Sequence, residues 1–147
     1  MRRLHLITAA LAFLLCLISA YYGAAIHNAN NNLHIQHLNE MDNIHFYGVK
    51  DVPFLTFKAA FGTMPFIVAI LILEIIVAFR SNIRQVKNIS VGLLVAMGIT
   101  LCCAILLMTY PKEYDFSRWG FTWIIMGFFT VGGNMISIFI RPKKAQK

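Results

Sequence analysis

The sequence predicts an all-α integral membrane protein: a four-helix transmembrane bundle, N-in/C-in, with a larger first external loop containing a short interfacial helix. Three observations carry this expectation. The 147-residue chain is 59% hydrophobic with a mean hydropathy of +0.67, which leaves too little polar sequence to cover a water-soluble core. Four apolar runs are each long enough to cross a bilayer, and two of them are joined only by the basic segment Arg-Ser-Asn-Ile-Arg-Gln-Val-Lys at 80–87. The charges are also stranded unevenly between the runs. Arg2, Arg3, Arg80, Arg84, Lys87, Arg141, Lys143, Lys144 and Lys147 occupy gaps without a carboxylate. Lys50, Lys58, Lys112 and Arg118 share the other gaps with Glu40, Asp42, Asp51, Glu113 and Asp115. Nine basic residues against four is the positive-inside bias, which puts both termini and the 80–88 turn in the cytoplasm. The net charge of +7 is therefore a topology signal, helped by attraction to anionic headgroups, and does not point to a nucleic-acid partner.

The chain reads as a single membrane domain, 1–147. The first span covers 4–26. Its Met-Arg-Arg start resembles the basic region of a signal peptide, but Ile18 is a poor fit three positions before a cleavage site. The apolar run also continues through Tyr21 and Tyr22, so the helix is expected to be retained. Leu15 before Cys16 is unsuited to a lipobox. The external loop, 27–58, is rich in Asn and His. Its Asn cluster at 28–32 favours irregular backbone, 33–46 favours a short interfacial helix, and Gly48 and Pro53 end that helix.

The second span, 59–79, carries Pro65 near its outer end, where a mild kink is expected. The cytoplasmic turn 80–88 leads to the third span, 89–110. An external turn, 111–120, precedes the fourth span, 121–140, which Trp119 and Trp123 flank at the interface. Residues 141–147 form a basic cytoplasmic tail. The absence of an internal repeat weakens a secondary-transporter reading.

Apolar side chains do not drive helices together inside lipid, so small residues that allow close approach must do so. Ala12, Cys16, Ala20 and Ala24 recur at every fourth position of the first span; Gly92, Ala96, Thr100 and Ala104 repeat the pattern in the third. These ladders, with Cys16 and Cys102 at similar depth, predict contact between the first and third helices. Gly133 and Ser137 offer a shorter version in the fourth. The cysteines, Cys16, Cys102 and Cys103, all lie in apolar runs, so buried thiols rather than disulfides are expected.

Glu74 is the sharpest chemical signal. It lies six residues before Arg80, about 9 Å inside the bilayer boundary at the rise of an α-helix. Asn134, seven residues before Arg141, reaches nearly the same depth on the fourth helix. A carboxyl group at that level is costly unless partnered, and an amide can partner it. The pair reads as an intramembrane polar clasp. Proton- or cation-coupled transport through Glu74 is the sharper alternative, although a lone acid without a basic partner or an aqueous path makes a poor relay.

The second signal lies outside the bilayer. On a helix, His34, His37, Met41 and His45 fall within about 80° of one another at 100° per residue. Imidazoles so spaced can bind zinc or copper, with Met favouring cuprous ion. A pH-sensitive or merely amphipathic segment is the plainer reading.

Other chemistries lack their residues. Intramembrane haem would want histidines at matching depths in two spans, whereas only His5 touches one, and no phosphate loop, H-E-x-x-H or Ser-His-Asp pattern is present. The leading expectation is a non-enzymatic accessory or interaction protein of the cytoplasmic (inner) membrane. It would present 33–46 and the 111–119 turn to a membrane or periplasmic protein partner. A metal-binding protein or enzyme using the external histidines is the first alternative.

Overall fold

In the computed structural model, residues 1–39, 51–108 and 117–140 are described, the side chains of 26, 29–39, 51–57, 107–108 and 117–119 excepted. They form four helices: α1 (Arg2–Asn39), α2 (Asp51–Arg80), α3 (Arg84–Met108) and α4 (Ser117–Phe139). Each contains a segment long and apolar enough to cross a membrane: Arg2–Ala25, Lys58–Arg80, Arg84–Leu106 and Gly120–Phe139.

The helices form a ring in chain order. α1 packs on α2 and α4, α3 packs on the same two, and neither diagonal pair comes together along its backbone. Neighbours run antiparallel, as short connections require. Tyr22, late in the α1 span, meets Gly62 early in α2, and Ile89 and Leu93 of α3 meet Gly133 late in α4. The α2–α3 turn needs only residues 81–83. Ser81 N–H still bonds to Val77 O at 2.9 Å, Ile83 N–H donates to Ser81 Oγ at 3.3 Å, and Ile83 O takes Lys87 N–H at 3.0 Å.

The buried stripes show why the ring closes. On α4 they read Gly120, Trp123, Gly127, Thr130, Asn134, Ser137; on α2, Ala59, Thr63, Ile67, Ile70, Glu74, Val77. Both advance by steps of three and four residues, strictly alternating on α4, and such mixed steps keep a helix face turned toward the bundle axis. α1 follows the same rhythm with His5, Thr8, Ala12, Leu15 and Ser19. Most buried hydroxyls satisfy themselves within their own helix. Thr8 donates to Leu4 O, Thr63 to Ala59 O, Thr130 to Met126 O and Ser137 to Gly133 O, at 2.7–2.9 Å, so each can be buried without a partner helix.

The expected contact between α1 and α3 does not occur. α1 packs instead on α4, where Gly127 lies directly against Cys16 and the Ala12 carbonyl, and Gly120 against the Ser19 carbonyl and Gly23. A Cβ on Gly120 would stand 2.6 Å from Ser19 O, so glycine is what lets these backbones meet. Cys16 Sγ completes the seam by donating to Ile124 O at 3.4 Å. Steps of four residues advance 400° and so drift about 40° around the helix each time. The ladder therefore leaves the seam: Ala12 and Cys16 are buried, whereas Ala20 and Ala24 are exposed. On α3, Gly92 and Ala96 face away from the bundle, Thr100 is half-buried, and only Ala104 is buried. α3 docks through Val86, Ser90 and Met97 instead. Cys102 and Cys103 also face outward, and all three thiols are free.

Three local expectations also change. The Asn cluster at 28–32 is helical, and α1 runs unbroken to Asn39. Asn costs a helix only about 0.6 kcal/mol per residue, which a helix already nucleated in the bilayer absorbs on propagation. Pro53 starts a helix rather than ending one. It is the third residue of α2, in the first turn, where a missing N–H costs nothing. Similarly, α4 begins at Ser117, inside the segment expected to be a turn. α2 stays helical through Pro65.

Candidate functional site: a buried carboxylate behind a basic mouth

The interior is divided by level. Toward the end where α1 starts and the α2–α3 turn lies, His5, Asn134 and Glu74 project from three helices into one layer, exposed by 3%, 1% and 0%. Beyond them the core is mostly apolar, with Leu15, Ile67, Ile70, Met97, Met126 and Trp123 on the axis, and it holds no other buried ionisable side chain except the Cys16 thiol among the described residues.

Asn134 is the centre of the polar layer. Its Nδ2 donates to Glu74 Oε1 at 2.6 Å and to Thr130 O at 3.0 Å. On its other side, Oδ1 lies 2.8 Å from His5 Nδ1. Thr130 O can only accept, which sets the amide's orientation. Oδ1 in turn can only accept, so His5 Nδ1 must carry a proton and donate it. α2 and α4 are a diagonal pair, and the Asn134–Glu74 bond bridges that diagonal.

The layer is not fully satisfied. Glu74 Oε2 is buried with no hydrogen-bond partner among the described residues. A bare carboxylate oxygen in a water-poor interior is costly, and a proton or a small cation on it removes the cost. His5 provides the way out. It lines a cavity of about 340 Å³ at the basic end, together with Arg2, Arg80, Ser81 and Asn82. The sequence of groups from outside inward is therefore mouth, imidazole, amide, carboxylate.

Glu74 and Asn134 are the pair expected from the sequence, and His5 is the third member that the structure adds. Counting from Arg3 puts it only two residues, about 3 Å, inside the boundary, so its place in the layer with Glu74 and Asn134 is not read from the count. Of the external candidates, Met41 and His45 lie outside the described residues, as do the side chains of His34 and His37, whose backbones belong to α1. Among the described residues no group of three or more His, Cys, Asp or Glu side chains is placed to hold a metal.

Fold and site together define a small helical membrane protein with a protonatable group inside its bundle. No known protein family, curated protein or solved structure matches the chain.

Proposed function

We propose that the protein takes up a proton or a small monovalent cation at Glu74, from the basic end of the bundle and past His5. The single observation that carries this is the complete burial of Glu74 with Oε2 unpartnered while Oε1 is held by Asn134. His5 and its mouth supply the basic partner and the approach that a lone acid would lack. The packed core of Leu15, Ile67, Ile70, Met97, Met126 and Trp123 beyond closes the axis, so uptake and release use the same side in this conformation. Glu74 then acts as a coupling carboxylate: its occupancy sets how tightly α1, α2 and α4 are tied together. By the positive-inside rule this basic side is cytoplasmic, and the membrane is the cytoplasmic (inner) one.

Labelling with an apolar carbodiimide, which reacts with protonated carboxyl groups, tests this in oriented proteoliposomes. Modification of Glu74 should fall as pH rises on the basic side and be indifferent to pH on the other, and protection by sodium would show that a cation also binds. A static clasp gives labelling that ignores pH on both sides.

A second reading, an accessory protein that presents an outer surface to a membrane or periplasmic partner, is favoured by one observation. α1 runs to Asn39, thirteen residues beyond the apolar run that ends at Ile26, an extension of about 20 Å at helical rise. That extension carries His- and Asn-rich sequence away from the apolar band. Replacing 27–46 should abolish capture of the partner without affecting membrane insertion; capture that persists rules the surface out. Zinc or copper at His34, His37 and His45 belongs to this reading, and stoichiometric metal lost on triple His→Ala substitution is its signature.

A further inference from the structure

The mouth itself has the composition of a binding site for an anion with an apolar tail. Arg2 and Arg80, exposed and on different helices, stand among the residues that line it, with Ser81 and Asn82 adding hydrogen-bonding groups and no carboxylate among the lining residues. Ile83, Val86, Ile138 and Ile140 give it an aliphatic wall. α3 begins at this wall with no acid in its first turn. Lys87 N–H is the first to bond back, to Ile83 O, so the N–H groups of Arg84, Gln85 and Val86 have no acceptor within the helix.

His5 is the most specific element. It is 97% buried, its Nδ1 is committed to Asn134, and Nε2 on the far edge of the ring makes no hydrogen bond among the described residues while the side chain lines the cavity. A free phosphate would use the guanidinium groups but leave the aliphatic wall bare; a phospholipid uses both.

We propose that this mouth binds the phosphate of an anionic lipid headgroup. Arg2 and Arg80 take its charge, Nε2–H of a protonated His5 donates to one phosphate oxygen, and the first part of the acyl chains lies on the isoleucine wall. Phosphate oxygens and Asn134 Oδ1 both only accept, so both ring nitrogens of His5 donate in the complex, and lipid occupancy is linked to the layer that holds Glu74. Binding itself does not require Glu74 to exchange a proton.

The test is lipid retention by the full chain, read by native mass spectrometry from micelles containing phosphatidylglycerol and phosphatidylcholine with identical acyl chains. Phosphatidylglycerol should be retained at least tenfold better. That preference should vanish in an Arg2→Gln/Arg80→Gln variant whose helicity and monodispersity match the parent. An Arg84→Gln/Lys87→Gln variant, which removes the same charge from the same end but outside the mouth, should keep it. Equal retention of the two lipids, or equal loss of preference in both variants, overturns the proposal in favour of diffuse attraction. Inorganic phosphate is the remaining arm: if millimolar phosphate displaces phosphatidylglycerol, the mouth is a site for a soluble anion and the lipid assignment falls.

Discussion

α1 and α3 carry the same ladder of small residues at every fourth position, and the bundle uses only one of them. On α1, Ala12 and Cys16 close against Gly127, and 39% of the apolar window is buried; on α3, Gly92 and Ala96 look outward, and 17% is buried. What separates the two helices is their company. Alongside its small residues α1 has His5, Thr8 and Ser19 at steps of three and four, facing a fourth helix whose Gly120, Gly127, Thr130 and Asn134 keep the same rhythm. The neighbours of the α3 ladder are Val91, Val95 and Ile99, which suit lipid and are exposed. In a solvent as apolar as the side chains themselves, a helix face turns inward where polar groups and close backbone approach both require it. Small size alone does not decide.

The seam between α1 and α4 is where this contrast can be broken most forcefully. Gly127→Leu forces a side chain into Cys16 and the Ala12 backbone, and should cost at least about 3 kcal/mol of bundle stability, read by denaturant titration in mixed micelles. Asn134→Ala comes next. It removes the group that bonds both Glu74 and His5, and should cost about 2 kcal/mol, as expected for stranding buried polar groups at membrane depth. Glu74→Gln keeps a hydrogen-bonding group in place and should cost under about 1 kcal/mol while abolishing carbodiimide labelling. At the small end, Gly92→Leu and Ala96→Leu on α3 should change stability by less than about 0.5 kcal/mol, since a side chain added at Gly92 meets nothing within 4 Å. A large loss at either position would place the α3 ladder in a contact and undo the contrast.

Much of the fold is legible in the sequence because lipid imposes a simple condition: spans must be long, apolar and helical. Glu74 and Asn134 can be assigned one depth by counting back from Arg80 and Arg141. Which helices neighbour each other is harder to read. Every fourth residue catches the eye, but only the three-four alternation stays on one face, as the fate of Ala20 shows. Helix ends are harder still, since the Asn cluster at 28–32 and Pro53 carry breaker chemistry that a preceding helix or a first-turn position neutralises. His5 was hidden by its position beside Arg2 and Arg3, where a histidine reads as one more interfacial cation.

The most direct measurement is infrared difference spectroscopy of the protein in bilayers as pH is varied. The carbonyl stretch of a protonated carboxyl should appear and disappear reversibly, be absent in Glu74→Gln, and titrate at a different pH in His5→Ala. A carboxyl signal that stays constant across the whole range, or one that titrates unchanged without Glu74, would contradict a proton site at the centre of this bundle.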